Sequence, residues 1–550
     1  MKSNGRFSEY LIRLTVCMTA AELLFRFLTF PAPFDFALFR ILLSTAGTSL
    51  FLASLCSLVP HKAGRIIVLF FCWLIGIYAV IQLGMKNYLG NYTSVNAGGD
   101  MFGRITEFII PFIKALKPQY WLALVCPLIC TFVSWHSRGH SFRNVKNIMV
   151  MLAASLILSL ASYLTVRSSG LASLYAYPKY IEKSLREFGL SKFLIRDFLA
   201  VGKEEKITLD PVSTPAAQPT EEPEVIEEQH RTIDDSAWKA LAESETDENV
   251  RMIDSWLMGR PVEDYNEMTG LLEGKNLIYI MIEAFDYIAV DEQLTPTLYM
   301  MKENGWDFTT HYTPKYSCTT GESEFISEIS LIPESDVCTP NQYKYNNFAT
   351  SIFSLFRNEG YYTSGYHNWI DEFYDRRELY KSSGCQAYLN YDDLNFHTIR
   401  GWQSDLELME LTVPLYINED KFFTLYVTSS MHFPYDESST LGDRYLNEIN
   451  AVHPDYKLNI KRYISKAMEL DKAMAYLLKV LEENGKLGDT AIVFFADHHP
   501  LNTPLNDIAA YTYEVDRTVG LNEDRTPFVI YCPSALGTKK LDEVNSTFDI

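Results

Sequence analysis

The segment KYSCTTGESEF, residues 315–325, places four aliphatic hydroxyls, one thiol and two carboxylates in a short polar stretch between two predicted regular elements. A hydroxyl is a weak nucleophile until a base or a metal ion lowers its pKa, so the segment takes its meaning from groups elsewhere in the chain. Glu283 closes the apolar run NLIYIMIE, and Asp497, His498 and His499 follow the apolar run TAIVFFA. They are hard oxygen and imidazole donors, suited to a divalent ion such as Mn2+, Mg2+ or Zn2+. Ionisable groups that close a buried strand need a partner for their charge, which a metal supplies. The nucleophile candidates are the hydroxyls of Ser317, Thr319, Thr320 and Ser323. Glu324 reads as a carboxylate capping the first turn of a helix, because Ser-x-x-Glu-type spacing marks helix starts.

Two other chemistries share part of this inventory. The triplet Asp497-His498-His499 matches the DHH phosphoesterases in its letters, but it comes late in the chain and lacks their upstream Asp-rich metal motifs. A formylglycine-dependent sulfatase needs Cys or Ser within C/S-x-P-x-R, whereas Cys318 is followed by Thr319, Thr320, Gly321 and Glu322. Sulfate-ester hydrolysis by that route is therefore not expected.

The elements that must position these groups are legible as continuous apolar runs at 276–283, 360–367, 422–430, 490–498 and 527–532, separated by helical patterns. Continuous hydrophobicity predicts strands covered on both faces, as in a mainly parallel α/β sheet. Ligands in such sheets sit beyond the carboxyl ends of the strands, which puts Glu283, His367, His432 and Asp497-His498 on one rim. His367, a lone imidazole at a strand end, fits a structural role or a substrate-facing one and is carried as a candidate substrate contact.

The chain before this domain has a different character. Apolar runs near bilayer-spanning length occur at about 9–30, 37–60, 64–85, 119–135 and 145–165, which predicts about five membrane helices within residues 1–170. Basic residues Lys2, Arg6, Lys62, Arg65, Arg138, Arg143 and Lys146 flank them on the side expected to be cytoplasmic, against Lys86, Arg104, Lys114 and Lys117 on the other. An odd number of spans then places the soluble domain outside the cell. Between the two halves the sequence predicts an amphipathic helical connector at 171–202, an acidic Pro-rich linker at 203–235 and a helical lead-in at 236–269, with the soluble domain at 270–550. A net charge of -21 excludes nucleic acid as an expected partner. Cys318 and Cys338 stand 20 positions apart in an extracytoplasmic domain, and we expect a disulfide between them beside the hydroxyl cluster.

Taken together, the membrane segments, linker and motifs resemble the lipoteichoic acid synthases and related phosphoglycerol transferases of the alkaline phosphatase superfamily. GKNLIYIMIEAF resembles their first strand with its metal-binding Glu, here Glu283, and TTGESEF their nucleophile loop K-T-S-D-S-E-F, which puts the nucleophile on Thr320. FADHH resembles G-D-H-Y, FYDRRELYKSSG resembles F-W-N-R-x-x-x-Y-K-S-x-G, and TSSMHFPYD resembles T-x-x-N-H-x-P-Y/F-D. The resemblance implies metal ligands Glu283, Thr320, Asp497 and His498, and substrate contacts Arg376, Tyr374 and His432. Thr319 stands where the family has Lys, Gly321 where it has Ser, Tyr374 for Trp, Met431 for Asn and His499 for Tyr. Relatives continue past the point matching Val544–Ile550 into a further helix, so the resemblance implies a chain that extends beyond residue 550.

The implied fold is a polytopic helical membrane domain followed by an extracellular sulfatase-like α/β domain with a mainly parallel central sheet. The implied activity moves a phosphoglycerol-type head group from a phospholipid, phosphatidylglycerol by family analogy, through a phosphothreonine to a hydroxyl acceptor on a glycolipid or polymer. One divalent ion, Mn2+ favoured over Mg2+ or Zn2+, is the implied cofactor, and membrane lipids are implied partners. A phosphoethanolamine transferase, an extracytoplasmic phosphohydrolase and a non-catalytic membrane receptor or regulatory partner are the alternatives on the same scaffold.

Overall fold

The computed structural model describes residues 5–30, 33–89, 92–94, 112–113, 116–136, 145–176, 181–200, 236–260, 266–316, 318–333, 338–371, 374–501, 505–511, 515 and 520–550. The Pro-rich linker expected at 203–235 and the Ser317 candidate lie outside the described residues.

Seven residues, Asn276–Ile282, form the central strand β1, whose side chains alternate between two apolar layers. Ile278, Ile280 and Ile282 enter one core, and Tyr279 and Met281 the other. That is the period-2 geometry of a strand, and burial on both faces explains why the positions after Asn276 are apolar or aromatic. The remaining strands are β2 (Trp306–Phe308), β3 (His311–Tyr312), β4 (Tyr362–His367), β5 (Ala387–Leu389), β6 (Phe422–Val427), β7 (Thr490–Ala496), β8 (Phe528–Tyr531), β9 (Lys539–Leu541) and β10 (Asn545–Ser546). Eight of them form one sheet in the order β5-β4-β6-β1-β7-β8-β2-β9, while β3 pairs with β10. The β5-β4-β6-β1-β7 block is parallel throughout; β8 runs antiparallel to both β7 and β2. The five long runs read from sequence are thus β1, β4, β6, β7 and β8. The short strands carry too few residues for any periodicity to register.

In the N-terminal half, described helices occupy all five predicted runs: α1 (Gly5–Thr29), α2 (Phe36–Leu58), α3 (His61–Leu89), a 3-10 turn Pro118–Leu124 leading into α4 (Val125–His136), and α5 (Val145–Ser168). Three stretches, Phe36–Leu58, His61–Asn87 and Ile148–Ser168, are long and apolar enough to cross a membrane; Pro118–Ser134 is apolar but shorter. The first helix differs because it carries Arg13, Glu22 and Arg26, each buried against neighbouring helices. Glu22 accepts hydrogen bonds from the backbone N–H of Leu190 (2.7 Å) and Ser191 (2.8 Å) in α6 (Ile181–Ala200). That helix breaks at Gly189, whose φ of 77° and closeness to Glu22 (a Cβ there would stand 2.5 Å from Oε2) both require glycine.

The described residues 236–260 and 266–274 belong to a second compact unit. Its helix Glu248–Met258 is N-capped by Asp247, which accepts from Asn249 N at 2.8 Å.

The sheet domain continues with α7 (Pro296–Asn304), α8 (Thr320–Ile329), α9 (Arg376–Ser382), α10 (Asp405–Tyr416) and α11 (Leu458–Glu483). Helices α7, α10 and α11 contribute Leu298, Leu408, Val413, Leu470, Met474 and Leu477 to the core on one face of the sheet. Phe325 and Ile329 of α8 and Leu379 and Tyr380 of α9 pack into the other. Three layers fix the backbone on both sides of the parallel strands, so the loops at their carboxyl ends share one rigid rim.

Candidate active site

The rim begins where β1 ends. Glu283 follows β1 directly, Asp497 and His498 follow β7, and Thr320 is the first residue of α8. Thr320 Oγ1 donates to Asp497 Oδ2 at 2.7 Å and lies 3.4 Å from His498 Nε2. His498 Nε2 is 3.5 Å from Glu283 Oε1 and 3.3 Å from Asp497 Oδ2. One ligand atom from each of Glu283, Asp497 and His498 falls within a 4.8 Å set, the one such cluster found among the described residues.

These donors fit a divalent ion. Glu283 Oε1 is buried with no hydrogen-bond partner, an expensive position for a carboxylate oxygen unless a cation faces it. Burial and the neighbouring Asp497 push the Glu283 carboxyl well above its usual range. His498 Nδ1 lies 2.8 Å from the carbonyl of His499, so a proton there is donated and the Nε2 lone pair faces the cluster. Asp497 is held at its other oxygen, Oδ1, by Ala284 N at 2.8 Å. His499 turns away: its Nδ1 is 3.3 Å from Asp524 and its Nε2 3.5 Å from Glu523 and from Lys315.

Three non-glycine residues in the left-handed region flank the site: Ala284 (φ 50°), Thr319 (φ 46°) and Asp375 (φ 48°). Each is the chain neighbour of a candidate, Glu283, Thr320 or Arg376. Such conformations cost of order 1–3 kcal/mol apiece and persist where surrounding structure imposes them, as at sites that aim a side chain. Thr319 makes the sharp entry into α8 and leaves Thr320 at the helix N-terminus, where the aligned peptide dipoles favour negative charge on its oxygen.

Tyr374 packs against that same turn. Its hydroxyl donates to the Cys318 carbonyl at 3.0 Å, and its ring lies so close to residue 321 that a Cβ there would stand 2.6 Å from Cδ1. Gly321 and Tyr374 therefore fit as a pair. Cys318 is disulfide-bonded to Cys338, as expected, with Cα atoms 5.3 Å apart. A disulfide sulfur cannot be the precursor of a formylglycine.

The structure corrects the reading of Glu324. It does not cap the helix start; Glu322 does the nearer work, accepting from Cys318 N at 2.7 Å. Glu324 lies on the inward face of α8, where both carboxylate oxygens accept from Arg376 Nε (3.0 and 2.8 Å) and Oε1 also accepts from Tyr380. Arg376 and Glu324 are almost wholly buried, and the Arg376 guanidinium lies 5.1 Å from the Tyr374 ring centroid. Removing one partner of a buried ion pair typically costs 3–5 kcal/mol, because the other charge is left uncompensated. Glu324→Gln should therefore lower thermal stability and raise KM together. Unchanged melting and unchanged KM would show that the pair holds nothing in place.

His432 is partly buried; its Nε2 is 4.0 Å from Glu283 Oε1, and its Nδ1 lies 2.7 Å from the Phe433 carbonyl. Burial pushes its pKa down to about 3, so the imidazole is neutral with its Nε2 lone pair toward the site. His367 has the same arrangement, its Nδ1 2.8 Å from the Val427 carbonyl, and burial with Arg376 nearby holds it well below the usual histidine range. Beneath His432 lies Lys466, buried on α11, which donates to the carbonyls of His432 and Pro434. Burial lowers the Lys466 pKa to about 7. Sequence reasoning missed Lys466, because an interior helical lysine carries no motif, and it missed the pairing of Glu324 with Arg376.

The sulfatase family model matches residues 275–550, half of the chain. The chain belongs to the sulfatase family. The lipoteichoic acid synthase-like protein YvgJ of Bacillus subtilis is 24% identical over 280 residues, covering 48% of this chain and 44% of YvgJ. Lipoteichoic acid synthase 2 of Bacillus subtilis is 23% identical over 334 residues, covering 56% of this chain and 48% of that protein. The chain spans about half the length of the curated relatives it matches. Among solved structures, lipoteichoic acid synthase LtaP from Listeria monocytogenes is 20% identical with a TM-score of 0.44, covering 54% of this chain and 74% of LtaP. The phosphoglycerol transferase GacH of Streptococcus pyogenes is 15% identical with a TM-score of 0.39, covering 57% and 80%. This sulfatase-family member lacks the C/S-x-P-x-R signature and carries a threonine where the hydroxyl cluster meets the Glu283–Asp497–His498 donors.

Proposed function

We propose that the chain is a membrane-anchored phosphotransferase that moves a phosphoglycerol-type head group from a phospholipid, phosphatidylglycerol first, to a hydroxyl acceptor through a covalent phosphothreonine at Thr320. The observation that carries this reading is the placement of Thr320 Oγ1 at a helix N-terminus, 2.7 Å from Asp497 Oδ2 and 3.4 Å from His498 Nε2. Glu283, Asp497 and His498 would hold the divalent ion, Mn2+ favoured over Mg2+ or Zn2+, which when bound supplies Lewis-acid stabilisation of negative charge on oxygen.

In the first half-reaction Thr320 Oγ1 attacks phosphorus, its proton directed at Asp497, and diacylglycerol leaves. In the second, the acceptor oxygen displaces Thr320, a double displacement. Over the cycle the acceptor hydroxyl loses one proton and diacylglycerol gains one. His432 Nε2, neutral and facing Glu283, is placed to exchange it. Arg376 is gripped through Nε, which leaves the edge bearing both Nη groups for phosphate oxygens, while Tyr374 and His367 shape the head-group side. The apolar helices of the N-terminal half would keep enzyme and lipid donor on one surface, outside the cell by the basic-residue pattern.

The test is product partition. Purified full-length enzyme with phosphatidylglycerol should release diacylglycerol slowly alone and several-fold faster with an added alcohol acceptor, because a site that orients an alcohol outcompetes one that only admits water. Head group recovered only as free phosphate ester at every acceptor concentration would make the protein a phosphohydrolase. Transfer from phosphatidylethanolamine but not from phosphatidylglycerol would make it a phosphoethanolamine transferase.

A further inference from the structure

Helix α11 reaches both loops that carry Glu283 and His432, and it does so from one face. Tyr463 Oη donates to the Ala284 carbonyl at 2.8 Å, in the residue after Glu283. Three residues further along, Lys466 Nζ donates to the carbonyls of His432 and Pro434, the latter at 3.2 Å. Residues three apart are neighbours on a helix surface, so the two side chains act from the same side. The rings of Tyr463 and Tyr435 meet edge to face, with centroids 5.3 Å apart and planes at 88°, and so join the two grips.

Lys466 is fully buried. A charged head group in a protein interior is costly unless its hydrogen bonds are met, and an apolar side chain would fill the same space without that cost. What the lysine provides is a hold on one short stretch of chain: the carbonyls of residues 432 and 434, and the Tyr435 ring, whose centroid lies 5.4 Å from Nζ. The carbonyl between them, that of Phe433, is engaged elsewhere, 2.7 Å from His432 Nδ1 and 2.8 Å from Trp402 Nε1. Trp402 in turn stacks on the His432 imidazole, with centroids 3.8 Å apart. Three consecutive carbonyls are therefore held. The imidazole is fixed through its own backbone, through Nδ1 and through one ring face, and Nε2 is the atom that faces Glu283 Oε1, at 4.0 Å. A reactive side chain gains precision when the groups behind it are locked in this way.

Resting on the phosphotransferase reading above, we propose that Lys466 is a positioning residue for the transfer step, acting through the carbonyls of His432 and Pro434 to keep His432 Nε2 on the Glu283 side of the site, where the proton is exchanged. The proton balance is unchanged: the acceptor hydroxyl loses one, diacylglycerol gains one, and His432 carries it between the two half-reactions. Lys466 itself needs no contact with phosphorus or acceptor. Its removal should cost rate rather than donor binding, and only while His432 is present.

The experiment is a double-mutant cycle on the full-length enzyme in detergent, with phosphatidylglycerol as donor, glycerol as acceptor and saturating Mn2+, read as diacylglycerol release. Lys466→Met should lower kcat about 10- to 100-fold, part of what a positioned acid–base group supplies, with the donor KM within about threefold of wild type. Adding Lys466→Met to His432→Ala should lower kcat by less than about threefold more, because residues that act as a unit are not additive. Losses that multiply in the double variant overturn the proposal, as does an unchanged kcat in Lys466→Met alone. If Lys466→Met does not fold, Lys466→Gln, which keeps donors but shortens their reach, runs through the same cycle with the same criteria. Amide hydrogen exchange gives a second readout that needs no turnover. Lys466→Met should speed exchange several-fold across Ser429–Asp436 and leave Thr320–Ile329 unchanged, and equal protection of the His432 loop in both proteins overturns the proposal. If the wild type releases no diacylglycerol from any phospholipid while the exchange difference is present, the phosphotransferase reading fails and the hold of Lys466 on the His432 loop stands.

Discussion

Thr320→Ala should remove head-group release almost completely, on the order of 10⁴-fold or more, as loss of an attacking hydroxyl does in other covalent mechanisms. The same variant should stay folded. Thr320 contributes no core volume beyond one methyl and a hydroxyl, and the hydrogen bond it gives Asp497 is worth about 1.5–3 kcal/mol at most. Its neighbour supplies the internal control. Thr319 also carries a hydroxyl, but it forms the strained entry to α8 and its side chain does not cap the helix. Thr319→Ala should cost about 1–2 kcal/mol of transition-state stabilisation, within roughly thirtyfold in rate. Steady-state release of diacylglycerol by the two variants, compared with their melting temperatures, checks both expectations. An essential Thr319 beside a dispensable Thr320 would shift the nucleophile by one residue.

Glu283→Gln should weaken divalent-ion binding by more than about 100-fold, beyond the 10- to 100-fold that outer-shell partners cost, and activity should fall in parallel. An amide keeps the shape but removes the negative charge. Proton release identifies the group responsible. In the metal-free folded protein, burial and Asp497 push the Glu283 carboxyl well above its usual range, so proton and metal compete for the same oxygens. The sign follows: a raised folded pKa favours the protonated, metal-free form at low pH, and metal affinity rises as pH rises through that range. Calorimetry of Mn2+ binding in buffers of different ionisation enthalpy should find greater proton release by the wild type than by Glu283→Gln, the difference growing as pH is lowered. Unchanged metal content in the variant would remove Glu283 from the ligand set.

The parts of this arrangement that sequence made legible share a physical cause. β1 and β7 are buried on both faces, so every position after their first residues, Asn276 and Thr490, is apolar or aromatic, and the polar residues that follow them, Glu283 and Asp497, stand out against the run. Thr320 was one hydroxyl among four until the motif resemblance set the register. The rest depends on contacts between residues far apart in the chain. Glu324 meets Arg376 across 52 positions, and Trp402 meets His432 across 30; no local pattern encodes either pairing. Glu324 lay within a helix-start pattern, and local spacing could not tell a capping carboxylate from one facing inward. In the N-terminal half, hydropathy located all five helices, but only contacts show that Glu22 of α1 is turned inward to cap the second half of α6.

The central claim is that Thr320 itself carries the transferred group, and peptide mass analysis tests it most directly. Full-length enzyme mixed briefly with phosphatidylglycerol and quenched in acid would be digested with trypsin, which should yield a peptide from Tyr316 to Lys344 containing Thr320, Cys318 and Cys338. The account predicts that this peptide gains the mass of one glycerophosphoryl group, localised to Thr320 by fragmentation after reduction and absent in Thr320→Ala. An adduct on another residue, or diacylglycerol released at full rate with the peptide unmodified throughout the first turnover, would contradict it.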